Sequence, residues 1–202
     1  MPLLPPPCPT FTFTLTLTFT LAAMPTALTL LAEGFEEIEA FTPVDLMRRA
    51  GVEVIVASLA DHRHVTGRSG ITAHADAALA GVGGRLFDLL FIPGGPGVKN
   101  LRADPRVRVV VDQHAAAGKW LAAICAAPTV LNASGLLEGR RYTAHFSVAG
   151  ELPHILTDQR VVADGNILTS RGAGTALDFG LLLIEKLISA DKAHEIARSV
   201  CA

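Results

Sequence analysis

Cys125 stands where an apolar run, Trp120-Leu-Ala-Ala-Ile124, gives way to Ala126-Ala127-Pro128. That order reads as a strand reversing sharply into a helix, because proline suits the first helical turn, where its missing N–H costs nothing. A thiol at such a junction faces unpaired N–H groups and the positive end of the helix dipole, which favour thiolate and lower its pKa. Small residues on both sides leave room for a substrate, so the chemistry expected of Cys125 is nucleophilic attack. A buried, inert structural cysteine is the competing reading. Cys201, next to the last residue, and Cys8, in an uncharged stretch, have no comparable setting.

Carboxylates supply the second group. The run Glu36-Glu37-Ile38-Glu39 opens a helical pattern, and acids at a helix start suit the dipole, so Glu36 and Glu37 are expected to be solvated. Glu39 differs, because it falls beside Phe41 and Val44 on an inward face. Pro43 cannot donate the backbone hydrogen bond that would normally reach the carbonyl of residue 39. A carboxyl in a tight apolar pocket stays protonated and can donate to a thiolate. Spacing alone does not establish that Glu39 meets Cys125.

Other candidate motifs are weak. Pro93-Gly-Gly-Pro-Gly97 has no following Gly-Lys-Ser/Thr and is not a phosphate loop, and Gly81-Val-Gly-Gly84 is too short for a dinucleotide fingerprint. The histidines show no ligand spacing matched to carboxylates or thiols, so no metal and no other cofactor is expected. Three cysteines are an odd count that fits neither a disulfide framework nor a zinc site. A reducing, cytoplasmic setting is the simplest reading.

The elements that must hold these groups alternate between strand and helix. Thr26–Ala32, Val52–Ser58, Phe87–Ile92 and Trp120–Ile124 are short apolar strands. Helices are expected from Glu36 to Ala50, stopped by Gly51, from Pro105 to Ala117, and from Pro128 onward. Arg63–His74 reads as a hairpin across the turn-rich Thr66–Gly70, and a short strand is expected near Tyr142. Arg160–Ala163 and Asn166–Ser170 pair around Asp164-Gly165, and helices Thr175–Ile188 and Asp191–Val200 close the chain. Fully apolar strands alternating with helices imply an α/β, flavodoxin-like three-layer sandwich with a mostly parallel central sheet. In such sheets, sites gather beyond the carboxyl ends of the strands, which directs attention to Glu33–Glu39, Pro93–Gly97 and Cys125–Pro128.

The chain of 202 residues, 50% hydrophobic and 18% charged, can bury a sizeable core. A net charge of −2 supplies no basic field, which argues against nucleic acid and anionic membrane as partners. Residues 1–23 stand apart from the domain at 24–202. Threonine alternates with Phe or Leu from Thr10 to Thr20, and no Asp, Glu, Lys, Arg or His occurs before Glu33. A secretory signal would want a positive start and a continuous apolar core, and Pro25 and the threonines argue against a membrane span. These residues are expected to be a disordered or spurious extension.

Leu31–Glu39 with Pro43–Gly51, then Pro93-Gly-Gly95, Ala122–Pro128 and Leu168–Thr175, resemble the ThiJ/PfpI superfamily, nearest to the branch of the Parkinsonism-associated deglycase. The match runs in order from Met24 to about Leu187. The resemblance implies a nucleophilic Cys125 hydrogen-bonded by a protonated Glu39. It also implies an oxyanion site from the backbone amides of Gly95 and Ala126, a proton-shuttling His145, and an anion-binding Arg68 that reaches the cysteine pocket of a dimer partner. A solvated turn arginine and a satisfied surface histidine are the plain alternatives for Arg68 and His145. Two departures stand out: Ala127 where many members have Gly, and Ala173 where Pro is frequent. The protease branch has His directly after the cysteine, whereas Ala126 follows here. Related amidotransferases need a late His-x-Glu pair, whereas His194 and Glu195 are adjacent.

Two functions follow from the resemblance. One is a cofactor-independent cysteine enzyme acting on small reactive aldehydes (methylglyoxal or glyoxal), or on early protein glycation adducts, to yield hydroxy acids. The other is a redox-responsive, chaperone-like dimer sensing peroxide through cysteine oxidation. A homodimer is implied in both.

Overall fold

Short strands that are apolar on both faces are stable only when both faces are covered. The computed structural model describes Met1 and residues 24–202. In chain order its elements are β1 (Thr26–Leu31), α1 (Glu37–Arg49), β2 (Glu53–Ser58), β3 (His64–Thr66), β4 (Thr72–His74), β5 (Ala77–Ala78), α2 (Leu79–Val82), β6 (Leu89–Ile92), α3 (Val98–Ala103), α4 (Pro105–Ala116), β7 (Trp120–Ile124), α5 (Pro128–Ala133), β8 (Val161–Asp164), β9 (Ile167–Ser170), α6 (Ala176–Leu187) and α7 (Ala190–Ser199). A seven-stranded sheet runs β5-β2-β1-β6-β7-β9-β8, and β3 pairs with β4 as a separate hairpin. Every pairing in the large sheet is parallel except β8 with β9. The fold is therefore the expected flavodoxin-like three-layer sandwich.

Alternation along the central strands decides which layer each side chain fills. On β6, Leu89 and Phe91 face the layer of α1, α6 and α7, among Val44, Met47, Phe179 and Leu183. Leu90 and Ile92 face the opposite layer, with Leu101, Val107 and Val111. On β7, Ala122 and Ile124 take the first side, and Leu121 and Ala123 the second. Two apolar cores thus sandwich a sheet that has no wet face at its centre.

Two features differ from the sequence reading. The strand expected near Tyr142 is an extended segment outside the sheet, because β9 already has β7 on one side and β8 on the other. The Tyr142 carbonyl accepts instead from the Leu156 N–H at 3.0 Å. The short β5, α2 and α3 were not foreseen, being too brief to carry a periodic signal. The alternation at Thr10–Thr20, Cys8 and the expected extension at 1–23 fall outside the described residues. Among the described residues, no helix is long and apolar enough to cross a membrane.

Helices α1 and α6 approach closely because Gly180 carries no side chain. A Cβ there would lie 2.5 Å from Leu46 Cδ1 and 3.0 Å from the Cα of Pro43. Gly180→Ala is expected to lower unfolding stability by about 1–3 kcal/mol through overpacking, despite alanine's better helix propensity. Urea denaturation with an unchanged m-value checks this, and wild-type stability would show that α1 yields freely.

Candidate active site

Strands β1 and β6 are neighbours, yet the chain leaves β1 toward β2 and returns to β6 on the other flank. That reversal opens a crevice at the carboxyl ends of the two strands. Three turns converge on it, following β1, β6 and β7. The Glu36 N–H donates to the Gly94 carbonyl and the Gly97 N–H to the Gly34 carbonyl, both at 3.0 Å. Gly95 adopts φ 96°, and a Cβ there would sit 2.5 Å from the Gly34 oxygen. Only glycine satisfies both demands.

Cys125 follows β7 in a left-handed conformation, φ 66°, which costs a non-glycine residue about 1 kcal/mol or more. Its backbone is pinned on both sides. Its N–H donates to the Ser170 carbonyl and its own carbonyl accepts from the His145 N–H, each at 2.9 Å. The sulfur is thereby turned toward the crevice, where the N–H groups of Gly95 and Ala126 and the Glu39 carboxyl reach it.

Glu39 is 2% exposed. Its backbone N–H donates to Glu36 Oε2 at 2.7 Å, so Glu36 caps α1. Its carboxyl accepts from the Gly94 N–H at 3.1 Å and from Ala173. Gly94 is pinched between the two reactive groups: a Cβ there would collide with Glu39 Oε2 and lie 2.6 Å from the Cys125 Cβ. Burial pushes the Glu39 carboxyl up to about 7, the charge of Glu36 adds to the rise, and the hydrogen bonds oppose it.

The thiol corrects the sequence reading. Burial pushes Cys125 up to about 12; the negative charge of Glu39 and its hydrogen bond add to the rise, against the Gly95 and Ala126 amides. A depressed value was expected from the helix terminus. α5 has only six residues, and its dipole does not outweigh burial beside a carboxylate. Two groups this close titrate as a pair. Loss of the first proton leaves one shared between sulfur and carboxyl, and the nucleophile exists when Glu39 holds it.

Glu36 and Glu37 are a second correction, since both are buried, at 8% and 9% exposure. Glu37 Oε1 accepts from the Ser69 N–H at 2.8 Å, which anchors the β3–β4 turn carrying Arg68. Burial works to raise Glu37, but the hydrogen bonds from Ser69 and its neighbours outweigh it and hold the carboxyl below its usual value.

All six sequence-predicted residues (Cys125, Glu39, His145, Gly95, Ala126 and Arg68) line one open cavity of about 370 Å³. Arg68 lines the cavity of its own chain. His145 Nδ1 accepts from the Ser147 N–H at 3.2 Å and lies 2.8 Å from Ser147 Oγ. In the neutral ring the proton is therefore on Nε2. Gly94, Ser147 and Ala173 are the site residues the sequence did not single out for a role. The Gly94-Gly95 pair was a usable signal of close backbone approach, and Ala173 brings an N–H that proline lacks. Among the described residues, no cluster of three or more His, Cys, Asp or Glu is placed to hold a metal.

The model of the DJ-1/PfpI family matches residues 25–186. The chain belongs to this family. It is 37% identical over 179 residues to Protein dj-1beta of Drosophila melanogaster, covering 87% of this chain and 96% of that one. It is 34% identical over 185 residues to the glutathione-independent glyoxalase DJR-1.2 of Caenorhabditis elegans, covering 90% and 98%. The structure of oxidized Toxoplasma gondii DJ-1 superposes with a TM-score of 0.83 at 36% identity, covering 87% of this chain and 97% of that one.

The raised Glu39 value has a consequence for stability. Its folded value of about 7 exceeds the ordinary 4.5, so the fold prefers the protonated carboxyl. That contribution is fully present below pH 4.5 and is lost as pH rises through 7. Glu39→Gln keeps the shape and cannot ionise. Its stability relative to wild type is expected to climb across this window by up to about 3 kcal/mol and then level off. Urea denaturation at several pH values reads this, and a gap independent of pH would contradict it.

Proposed function

We propose that this family member is a cofactor-independent cysteine enzyme that converts small 2-oxoaldehydes, methylglyoxal foremost, into 2-hydroxy acids. One observation carries the reading: the Cys125 sulfur faces a buried carboxyl and two backbone N–H groups in the wall of a cavity. The glyoxalase name of the Caenorhabditis elegans relative supports it.

With its proton on Glu39, the thiolate adds to the aldehyde carbon. The carbonyl electrons move onto oxygen, where the Gly95 and Ala126 amides can donate, and that oxygen takes up a proton to complete a hemithioacetal. The proton on the former aldehyde carbon then leaves to a base and one is returned to the neighbouring carbon, which turns the hemithioacetal into the thioester of a 2-hydroxy acid. Glu39 and His145 flank this path and act as the acid and base. Water adds to the thioester and expels the thiolate. The sum is methylglyoxal plus water giving lactate and a proton, with no oxidant or reductant consumed. Release of an early glycation adduct, a carbinolamine, needs one step more: its C–N bond breaks, the amine leaves with the hydroxyl proton, and the aldehyde so freed follows the same path.

The reading carries a cytoplasmic homodimer. Ile38 and Ile71, 55% and 60% exposed, support the dimer, and the free thiols of Cys125 and Cys201 suit a reducing compartment. The same amides and carboxyl around sulfur also favour a second reading, a peroxide sensor in which Cys125 becomes a sulfinate. The Toxoplasma gondii structure is of an oxidized form of that protein.

Lactate formation from methylglyoxal separates the two. The wild-type chain is expected to form lactate, Cys125→Ser to lose at least about a hundredfold, and Glu39→Gln about tenfold or more, because an amide cannot release and recover a proton. Undiminished turnover in Cys125→Ser would overturn the proposal. Absent turnover alongside rapid peroxide oxidation of Cys125 favours the sensor.

A further inference from the structure

A second cavity, of about 490 Å³, adjoins the one at Cys125, and the two share His145 and Ala173 in their walls. Methylglyoxal has one methyl group beyond its dicarbonyl and needs only the first. The second has no carboxylate in its lining; it is walled by Phe146, Ala149 and Ile155 and bears two arginines. Arg160 is engaged, its Nε donating to Asp178 Oδ2 at 2.7 Å and its Nη2 to the Gly174 carbonyl at 2.8 Å. Arg171 is not: its backbone N–H donates to the Arg160 carbonyl, and among the described residues its guanidinium has neither ion pair nor hydrogen bond. Phe146 is 77% exposed with its ring 4.1 Å from that of His145, so an apolar surface runs from the shared wall into the second cavity.

A cavity with apolar side chains and an uncommitted guanidinium in its lining suits a ligand that is apolar along its length and anionic at its end. We infer that the second cavity is a subsite for the tail of longer 2-oxoaldehydes whose far end is a carboxylate held by Arg171. This rests on the reading that Cys125 attacks 2-oxoaldehydes, and it makes Arg171 a specificity-determining residue. His145 stands at the passage between reacting carbon and tail.

The test compares ω-carboxylated 2-oxoaldehydes of increasing chain length with their methyl esters, reading the ratio of kcat/KM within each protein so that a general loss of activity cancels. In parallel, ω-(iodoacetamido)alkanoates and their methyl esters alkylate Cys125, with the exposed Cys201 as internal reference; this readout needs no turnover. Wild type is expected to favour the carboxylate at an optimal chain length by roughly three- to tenfold at low salt. Arg171→Gln should abolish the preference, and Arg171→Lys should restore part of it. No preference at any length, or the same preference in Arg171→Gln, would overturn the subsite. Failure of the wild-type chain to make lactate from methylglyoxal strikes the proposed function instead, and the alkylation ratio still decides the subsite.

Discussion

A carboxyl and a thiol buried in contact cannot both ionise, because each negative charge raises the cost of the other and neither is well solvated. That constraint orders the rest of the site. Glu39 and Cys125 can approach only across a residue with no side chain, which is Gly94. The turn bearing Gly94 must in turn be tied to the turn after β1, and the Glu36 and Gly97 backbone bonds do so. What the arrangement stores is a single movable proton, and the Gly95 and Ala126 amides bias where it rests.

The large-scale fold serves this contact. Glu39 comes from α1, whose position over the sheet is set by its packing on α6 at Gly180. Cys125 comes from β7, two strands away from β1. Only at the crevice where the chain reverses its direction of travel across the sheet do the carboxyl ends of β1, β6 and β7 face one another. Core packing and chemistry are thus linked through the same helix.

What was legible in the sequence was what local order encodes. β6 and β7 read as strands because both of their faces are apolar, and the junction at Cys125 read as a strand-to-helix turn because Pro128 opens α5. The inward placement of Glu39 followed from the helical period. Burial of Glu37 was invisible because its partner Ser69 is 32 positions away on a separate hairpin. The thiol was misjudged for a related reason: a helix start is a local signal, whereas the opposing carboxylate arrives through the fold. The segment at Tyr142 has strand composition but found both flanks of β9 taken, a competition that no window of sequence displays.

The left-handed backbone of Cys125 sets foldedness against reactivity at one position. An L-residue is unwelcome there, and glycine would relieve the strain without disturbing the two backbone bonds that pin the turn. A lineage selected for robustness alone would drift toward glycine at residue 125 and lose its sulfur. Keeping cysteine marks this chain as one whose most durable form and whose reactive form are different molecules.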